Sequence, residues 1–272
     1  MKIGKTEIAQ LIYNNLKEHK ELLKIQFLKS KATVGYFFID DLLPEALALE
    51  IYNKFPTTDK AVRKKNLREF KFTAYQMDRY DALLEHIIYA FQDEKVIQLV
   101  AEICELEEVF GDEKLYAGGL SLMEKDNFLN PHLDNSHDKD RNRWRVLNLL
   151  YYVTPNWTLE NGGNLEIWPN GLEQAQTTIE SKFNRLVVMT THQKSWHSVS
   201  KVLKEEVRCC VSNYYFSKKP FLESDTFHVT TFRGRSSEKV RDLLLRADNG
   251  LRSSMRKLFK KGVRENPHQY KK

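Results

Sequence analysis

Two imidazoles and a carboxylate are spaced for metal chemistry in this sequence. Pro131-His132-Leu133-Asp134 sets His132 and Asp134 two residues apart, hence on one face of an extended segment. His197, within Ser195-Trp196-His197-Ser198-Val199, lies just beyond the apolar run Leu186-Val187-Val188-Met189. Two imidazoles and one carboxylate on one side of a metal leave three adjacent coordination positions open, the facial triad suited to non-haem Fe(II) and its oxygen chemistry. A His-x-Asp motif alone is a weak signal. A strand-following histidine further along the chain, with an arginine beyond it, makes it a much stronger one.

That arginine is Arg208, which opens Arg208-Cys209-Cys210-Val211-Ser212-Asn213-Tyr214-Tyr215-Phe216. Read as a strand, this segment puts Arg208, Cys210, Ser212 and Tyr214 on one face. A guanidinium directed into an interior is costly unless an anion meets it, and a small dicarboxylate would meet it bidentately. The alternative is a strand-end ion pair with Glu205 or Glu206. His137, in the charged run 136–143, and His192, in Thr191-His192-Gln193-Lys194, read as solvated surface groups. Trp144, Trp157, Trp168 and Trp196 read as core residues, with Trp168 also a candidate for the pocket.

The supporting elements follow from periodicity. Residues 6–30 have near-helical apolar spacing, 34–39 form an aromatic strand, and Pro44 starts a helix through about Lys54. Residues 57–69 read as a loop and 80–108 as a helix with an apolar stripe. From Tyr116 onward short alternating runs at 115–124, 145–153, 164–168, 184–190 and 207–216 are separated by turn signals such as Asn161-Gly162-Gly163 and Pro169-Asn170-Gly171. These predict antiparallel β-structure, a sandwich or double-sheet jelly roll. A helix then runs from Ser237 to Lys261. Its apolar positions Val240, Leu243, Leu244, Ala247, Leu251, Met255, Leu258 and Phe259 are predicted to face the core, with Arg241, Arg246, Arg252, Arg256, Lys257 and Lys260 around them.

The bulk properties bound the class. With 272 residues, 41% hydrophobic and 29% charged, the chain has material for a globular core and is not a disordered, collagenous or disulfide-framed sequence. Its three cysteines, Cys104, Cys209 and Cys210, form no CxxC motif, and vicinal strand cysteines point to opposite faces. The start lacks a signal-peptide core, and no stretch reaches the ~18 apolar residues of a membrane span, so a reducing, cytoplasmic setting is expected. The net charge of +6 is unevenly held: residues 230–272 carry +9 and the rest −3. Contact with a polyanion or a membrane surface is therefore assigned to residues 230–272 rather than to the site.

The run from His132 to Phe216 resembles the Fe(II)/2-oxoglutarate dioxygenases, in particular their prolyl-4-hydroxylase-like branch. The likeness rests on His132-Leu133-Asp134-Asn135, Leu149-Leu150-Tyr151-Tyr152-Val153, Asn156-Trp157 and Gly162-Gly163-Asn164-Leu165-Glu166-Ile167-Trp168-Pro169. It continues in Phe183-Asn184-Arg185-Leu186, His197-Ser198-Val199 and Arg208 to Phe216. It implies a mainly β fold with flanking helices (α+β), a double-stranded β-helix (cupin-like jelly roll) with helices packed on one sheet. It divides the chain into an N-terminal helix (1–33), a dioxygenase domain (34–220, with the ligand-bearing core about 116–220) and a basic helical segment (221–272).

By that resemblance His132, Asp134 and His197 are the iron ligands and Arg208 pairs with the distal carboxylate of 2-oxoglutarate. Tyr152 also reaches that carboxylate, Leu165 is an apolar wall, and Ser212 and Tyr214 line the site. The family often has a second tyrosine near the co-substrate, where this chain reads Ser121-Leu122-Met123. The carboxylate at Asp134 separates the chain from related halogenases, which lack it. The implied reaction couples oxidative decarboxylation of 2-oxoglutarate by O2, giving succinate and CO2, to hydroxylation of an aliphatic C–H bond, with L-ascorbate as a reductant. The implied substrate is a prolyl residue in a peptide or protein; a small molecule such as an amino acid, glycan or natural-product intermediate is the alternative, and a non-catalytic binding protein the weaker one. Arg145, Asn148 and the loop 136–143 are candidates for contacting it.

Overall fold

The computed structural model describes residues 3–258 together with 269 and 270. Its strands are β1 (Tyr36–Ile39), β2 (Val62–Lys65), β3 (Glu69–Ala74), β4 (Val109–Phe110), β5 (Gly119–Met123), β6 (Phe128–Leu133), β7 (Trp144–Tyr152), β8 (Leu165–Ile167), β9 (Thr177–Ile179), β10 (Arg185–Thr190), β11 (His197–Val199), β12 (Arg208–Ser217) and β13 (Thr231–Phe232). The helices are α1 (Lys5–Glu18), α2 (Lys20–Ser30), α3 (Glu45–Asn53), α4 (Ala82–Ala90), α5 (Glu94–Ile103) and α6 (Lys239–Leu258). The strands run in the order β1-β10-β7-β12-β5-β3-β6-β11-β8-β9, all antiparallel. Because β3 pairs with both β5 and β6, the ladder turns from a broad face onto a narrow one. The result is the curled, mainly β jelly roll with helices on one sheet that the sequence leads one to expect.

Strand alternation divides the core. On β7 and β12, Leu147, Leu149, Tyr151, Cys209, Val211 and Tyr215 point outward and bury against Ile8, Ile12, Leu84, Ile87, Val96 and Val100 of α1, α4 and α5. Each such side chain contributes about 2 kcal/mol when fully withdrawn from water. The opposite rows, Leu150, Tyr152 and Cys210, face Leu165, Ile167, Val187 and Met189 inside the curl. That inner row opens into the cavity described below.

Several expected elements differ. The 6–30 helix is two, broken at His19, and the 80–108 helix is two, because Asp93 leaves the helical conformation to cap α5, its carboxylate accepting the Lys95 N–H at 3.2 Å. The region read as a loop over 57–69 contains β2 and the start of β3, a charged hairpin whose ladder comes from tertiary pairing rather than from its own apolar content.

The largest correction concerns α6. Val240, Leu243, Leu244, Leu251 and Met255 are exposed, at 77%, 69%, 51%, 71% and 44%, and only Leu245 of its leucines is buried among those described. The helix docks by its polar side instead. Asn249 exchanges hydrogen bonds with the Phe232 backbone, Asp248 pairs with Arg68 and Arg252, and Asp242 pairs with Arg233 and Arg246. Phe259, Lys260 and Lys261, which the sequence placed on this helix, lie outside the described residues. Among the described residues no helix is long and apolar enough to cross a membrane.

Candidate metal centre

His132 and His197 are direct cross-strand partners on β6 and β11, and their rings sit 4.1 Å apart between centroids. Asp134 follows β6 immediately. Its Oδ1 is 3.7 Å from His132 Nε2 and its Oδ2 is 3.7 Å from His197 Nε2. Each imidazole uses its other nitrogen to donate to a backbone carbonyl at 2.9 Å, His132 Nδ1–H to Asn130 and His197 Nδ1–H to Ser195. In the neutral tautomer this leaves each Nε2 as a lone pair facing the carboxylate. Phe232 stacks on His132 at 5.1 Å and holds that ring in plane.

The surroundings of His132 and Asp134 favour their proton-free forms. Burial, reinforced by the neighbouring His197, pulls the His132 imidazole down to about 3. Burial pushes the Asp134 carboxyl up, but Arg145 and the two histidines outweigh it and leave it below the usual carboxylate range. The Nε2 atoms of both histidines thus converge on an ionised carboxylate whose buried Oδ2 has no hydrogen-bond partner among the described residues. Three buried acceptors facing one another with no donor between them are unfavourable unless a cation joins them. A divalent metal bound by one nitrogen of each histidine and one carboxylate oxygen fits that set.

A cavity of about 120 Å³ adjoins the cluster and is walled by both histidines, Asp134 and the inward rows of β5, β7 and β12. Arg208, Tyr152, Leu165, Ser212, Asn148 and Tyr214 all line it. The regular alternation expected for β12 is observed. Arg208 is 4% exposed, and its nearest described contacts are uncharged: Nη2 lies 3.0 Å from Met123 Sδ, and the guanidinium sits 5.3 Å over the Tyr152 ring. Its Nε has no partner. Glu205 and Glu206, the alternative partners, pair with Lys125 and Lys204 instead. Burial raises the Tyr152 phenol well above its ordinary value despite Arg208, so the hydroxyl stays protonated and able to donate. Gly163, at φ +66°, allows this packing, since a Cβ there would sit 2.9 Å from Arg208 Cδ.

Arg145 reaches the site by a different device. Tyr215 pairs with Leu147 but Phe216 pairs with Arg145, so Val146 is bulged. Strict alternation would have sent Arg145 toward the helices; the bulge returns it to the cavity side. Its Nη1 lies 3.5 Å from Asp134 Oδ1 and its guanidinium 4.4 Å over the Tyr214 ring.

Other candidates are placed elsewhere. The Trp168 indole donates to Ser198 Oγ at 2.9 Å and does not line the cavity. Loop 136–143 faces residues 111–116 and 269 across a separate cavity of about 340 Å³. His137 and His192 are buried, not solvated, at 1% and 5% exposure. His137 Nδ1 bonds the Asp138 carbonyl; His192 stacks on Phe221 and accepts the Lys194 N–H. In both cases a local backbone group holds Nδ1, which composition does not reveal, while His192 Nε2 is buried without a hydrogen-bond partner among the described residues.

Sequence reading missed the inward row of the charged hairpin. Lys64, Lys71 and Thr73 line the cavity, while Phe72 and Ala74 turn to the core. The polar-apolar alternation from Glu69 to Ala74 was the available signal.

Residues 118–216 match the sequence profile of the 2OG-Fe(II) oxygenase superfamily. No curated protein sequence matches the chain. Solved structures share the fold at low identity. A Pseudomonas putida prolyl-4-hydroxylase is 16% identical with a TM-score of 0.55, covering 72% of this chain and 98% of its own. A Trichoplax adhaerens prolyl hydroxylase, solved with a hypoxia inducible factor oxygen degradation domain peptide fragment, is 18% identical with a TM-score of 0.53, covering 75% and 92%. HygX from Streptomyces hygroscopicus, solved with nickel and 2-oxoglutarate, is 11% identical with a TM-score of 0.50, covering 75% and 87%. Two features of this cavity are unsatisfied among the described residues: the His132–Asp134–His197 cluster and the buried Arg208 Nε.

Proposed function

We propose that the protein is an Fe(II)- and 2-oxoglutarate-dependent dioxygenase that hydroxylates an aliphatic C–H bond, of a prolyl residue in a peptide or protein. The observation that carries the reading is the pairing, in one cavity, of three converging metal-donor side chains with a buried arginine that has no anionic partner among the described residues. Bound iron and 2-oxoglutarate supply the oxidation by O2 that turns C–H into C–OH as succinate and CO2 form. The chain's own part is positional. His132 and His197 present Nε2, their tautomers set by the Asn130 and Ser195 carbonyls, and Asp134 contributes the negative charge. A metal would displace no proton from His132 or Asp134.

Arg208, with the Tyr152 and Ser212 hydroxyls, would hold the distal carboxylate, and Leu165 would flank the carbon chain. Asn148 and Tyr214 lie toward the substrate side, and Asn148 Oδ1 is buried without a partner. The prolyl substrate is suggested by the prolyl hydroxylases among the fold's neighbours. The modest cavity and its polar wall also favour a second reading, a small polar molecule.

Anaerobic titration of the protein with Fe(II) and then 2-oxoglutarate should produce the weak visible metal-to-ligand charge-transfer band, and His197→Ala should abolish it. No band from the wild-type protein would overturn the oxygenase reading. Mass spectrometry after aerobic turnover should then show a gain of one oxygen on proline-containing peptides; a gain only on free amino acids or glycans would replace the prolyl reading by the small-molecule one.

We also propose that α6 meets an anionic membrane surface. It joins an outward apolar stripe to a segment carrying +9, the composition of an interfacial helix. Co-sedimentation with phosphatidylglycerol vesicles, absent with phosphatidylcholine vesicles and lost in Leu243→Ser/Leu251→Ser, is the expected result. Equal binding to both lipids, or self-association through this face, would refute it.

A further inference from the structure

The hairpin β2–β3 turns an unusual set of side chains inward. Lys64 and Lys71 are direct cross-strand partners, and both line the cavity that holds the metal cluster. Like charges opposed across a ladder repel. Lys71 is relieved by Glu69 at 3.0 Å, whereas Lys64 has no ion pair among the described residues. The outward residues of the same strand, Arg63 and Lys65, lie instead over the Phe70 ring, so the inward direction of Lys64 is fixed by alternation.

The same residues form the mouth of the site. Lys64, Lys71, Arg145, His132 and Asp134 share an open cleft of about 290 Å³ on the solvent side of the cluster. Thr73, on the same inward row as Lys71, is 6% exposed with an unpartnered hydroxyl, and Asn148, 3% exposed, has an unpartnered carbonyl oxygen. On the reading above, a divalent metal, dianionic 2-oxoglutarate, Asp134 and Arg208 neutralise one another. Lys64, Lys71 and Arg145 against Glu69 then leave an excess of positive charge over the open side of the metal. A partly buried excess of that kind attracts an anion into the cleft.

We propose that Lys64, Lys71 and Arg145 form an anion subsite beside the metal centre, and that the molecule oxidised there carries a carboxylate or phosphoryl group close to its reacting C–H bond. The inference rests on the oxygenase reading and narrows its substrate class. A neutral prolyl segment would leave the two lysines opposed. An acidic residue next to the target, or a phosphorylated or carboxylated small molecule, would join them.

The test uses the anaerobic complex with Fe(II) and 2-oxoglutarate, in which Arg208 is already engaged. Sulfate, a tetrahedral dianion that stands in for a phosphoryl group, and acetate are titrated separately by calorimetry, with glycerol as the neutral control. One of the anions should bind and glycerol should not; tighter sulfate binding assigns a phosphoryl group, tighter acetate binding a carboxylate. Lys64→Met and Lys71→Met, which keep side-chain length and remove charge, should each weaken that binding tenfold or more while the charge-transfer band persists. Absence of anion binding by the wild-type complex, or equal binding by both variants, overturns the subsite. Absence of the band before any anion is added overturns the oxygenase reading, and the subsite with it.

Discussion

Arg208→Met should yield a folded protein, at least as heat-stable as the wild type, whose affinity for 2-oxoglutarate is lower by roughly thirtyfold to several-thousandfold. The two halves of that result have one cause. The Arg208 guanidinium is 4% exposed and lies against the Met123 thioether, the Tyr152 ring and the Cys210 thiol, with no ion pair among the described residues. A buried ion exchanged for a well-packed apolar side chain is often neutral or stabilising by about 1–4 kcal/mol. Methionine is unbranched and fills the same channel beside Met123 and Tyr152. The co-substrate sees the opposite. Losing one partner of a buried, charge-assisted pair costs about 2–5 kcal/mol, a factor of roughly thirty to several thousand. Arg208→Lys should recover little of it, since an ammonium does not reproduce the bidentate fork. Calorimetric melting checks the first half and titration of 2-oxoglutarate against the metal-loaded protein the second. A destabilised variant with normal affinity would show Arg208 to be a structural residue.

What the sequence made legible follows the regularity of its elements. β12 alternates without interruption through Tyr215, so the shared face of Arg208, Cys210, Ser212 and Tyr214 could be read directly and is observed. His132 and Asp134 could be placed together for the same reason. Arg145 could be named but not oriented, because one bulged residue at Val146 reverses its face and nothing local marks the bulge. Lys64 and Lys71 were hidden in a stretch whose charge density resembles a loop; their strand exists because β3 is clamped between β5 and β6. α6 failed differently. Its amphipathicity was legible, but amphipathicity does not state which side meets the core. Here the Arg68–Asp248–Arg252 and Arg233–Asp242 pairs and the Asn249 bonds hold the polar side down, and the apolar stripe is left outward.

The second large effect concerns the acceptor cluster. Saturating Mn(II), or Fe(II) without oxygen, should raise the melting temperature of the wild-type protein by roughly 5–10 °C, from the linkage of about 2.7 kcal/mol at a hundredfold excess over Kd and the size of the chain. Asp134→Ala should lose the whole increment. The carboxylate is the only anionic group of the three, and without it the two imidazoles and the nearby Arg145 cation alone face the metal. Arg145, 3.5 Å from Asp134 Oδ1, would then repel the ion rather than compete with it for the carboxylate. Asp134→Asn keeps the shape and one acceptor oxygen, so it should retain a small part of the increment. His197→Ala should lose most of it, leaving His132 and Asp134 as an incomplete set. Arg208→Met, by contrast, should keep the metal increment in full and lose only the further rise on adding 2-oxoglutarate. That separation is the decisive feature, because a protein that merely tolerated surface metal would show the same increment in all four variants.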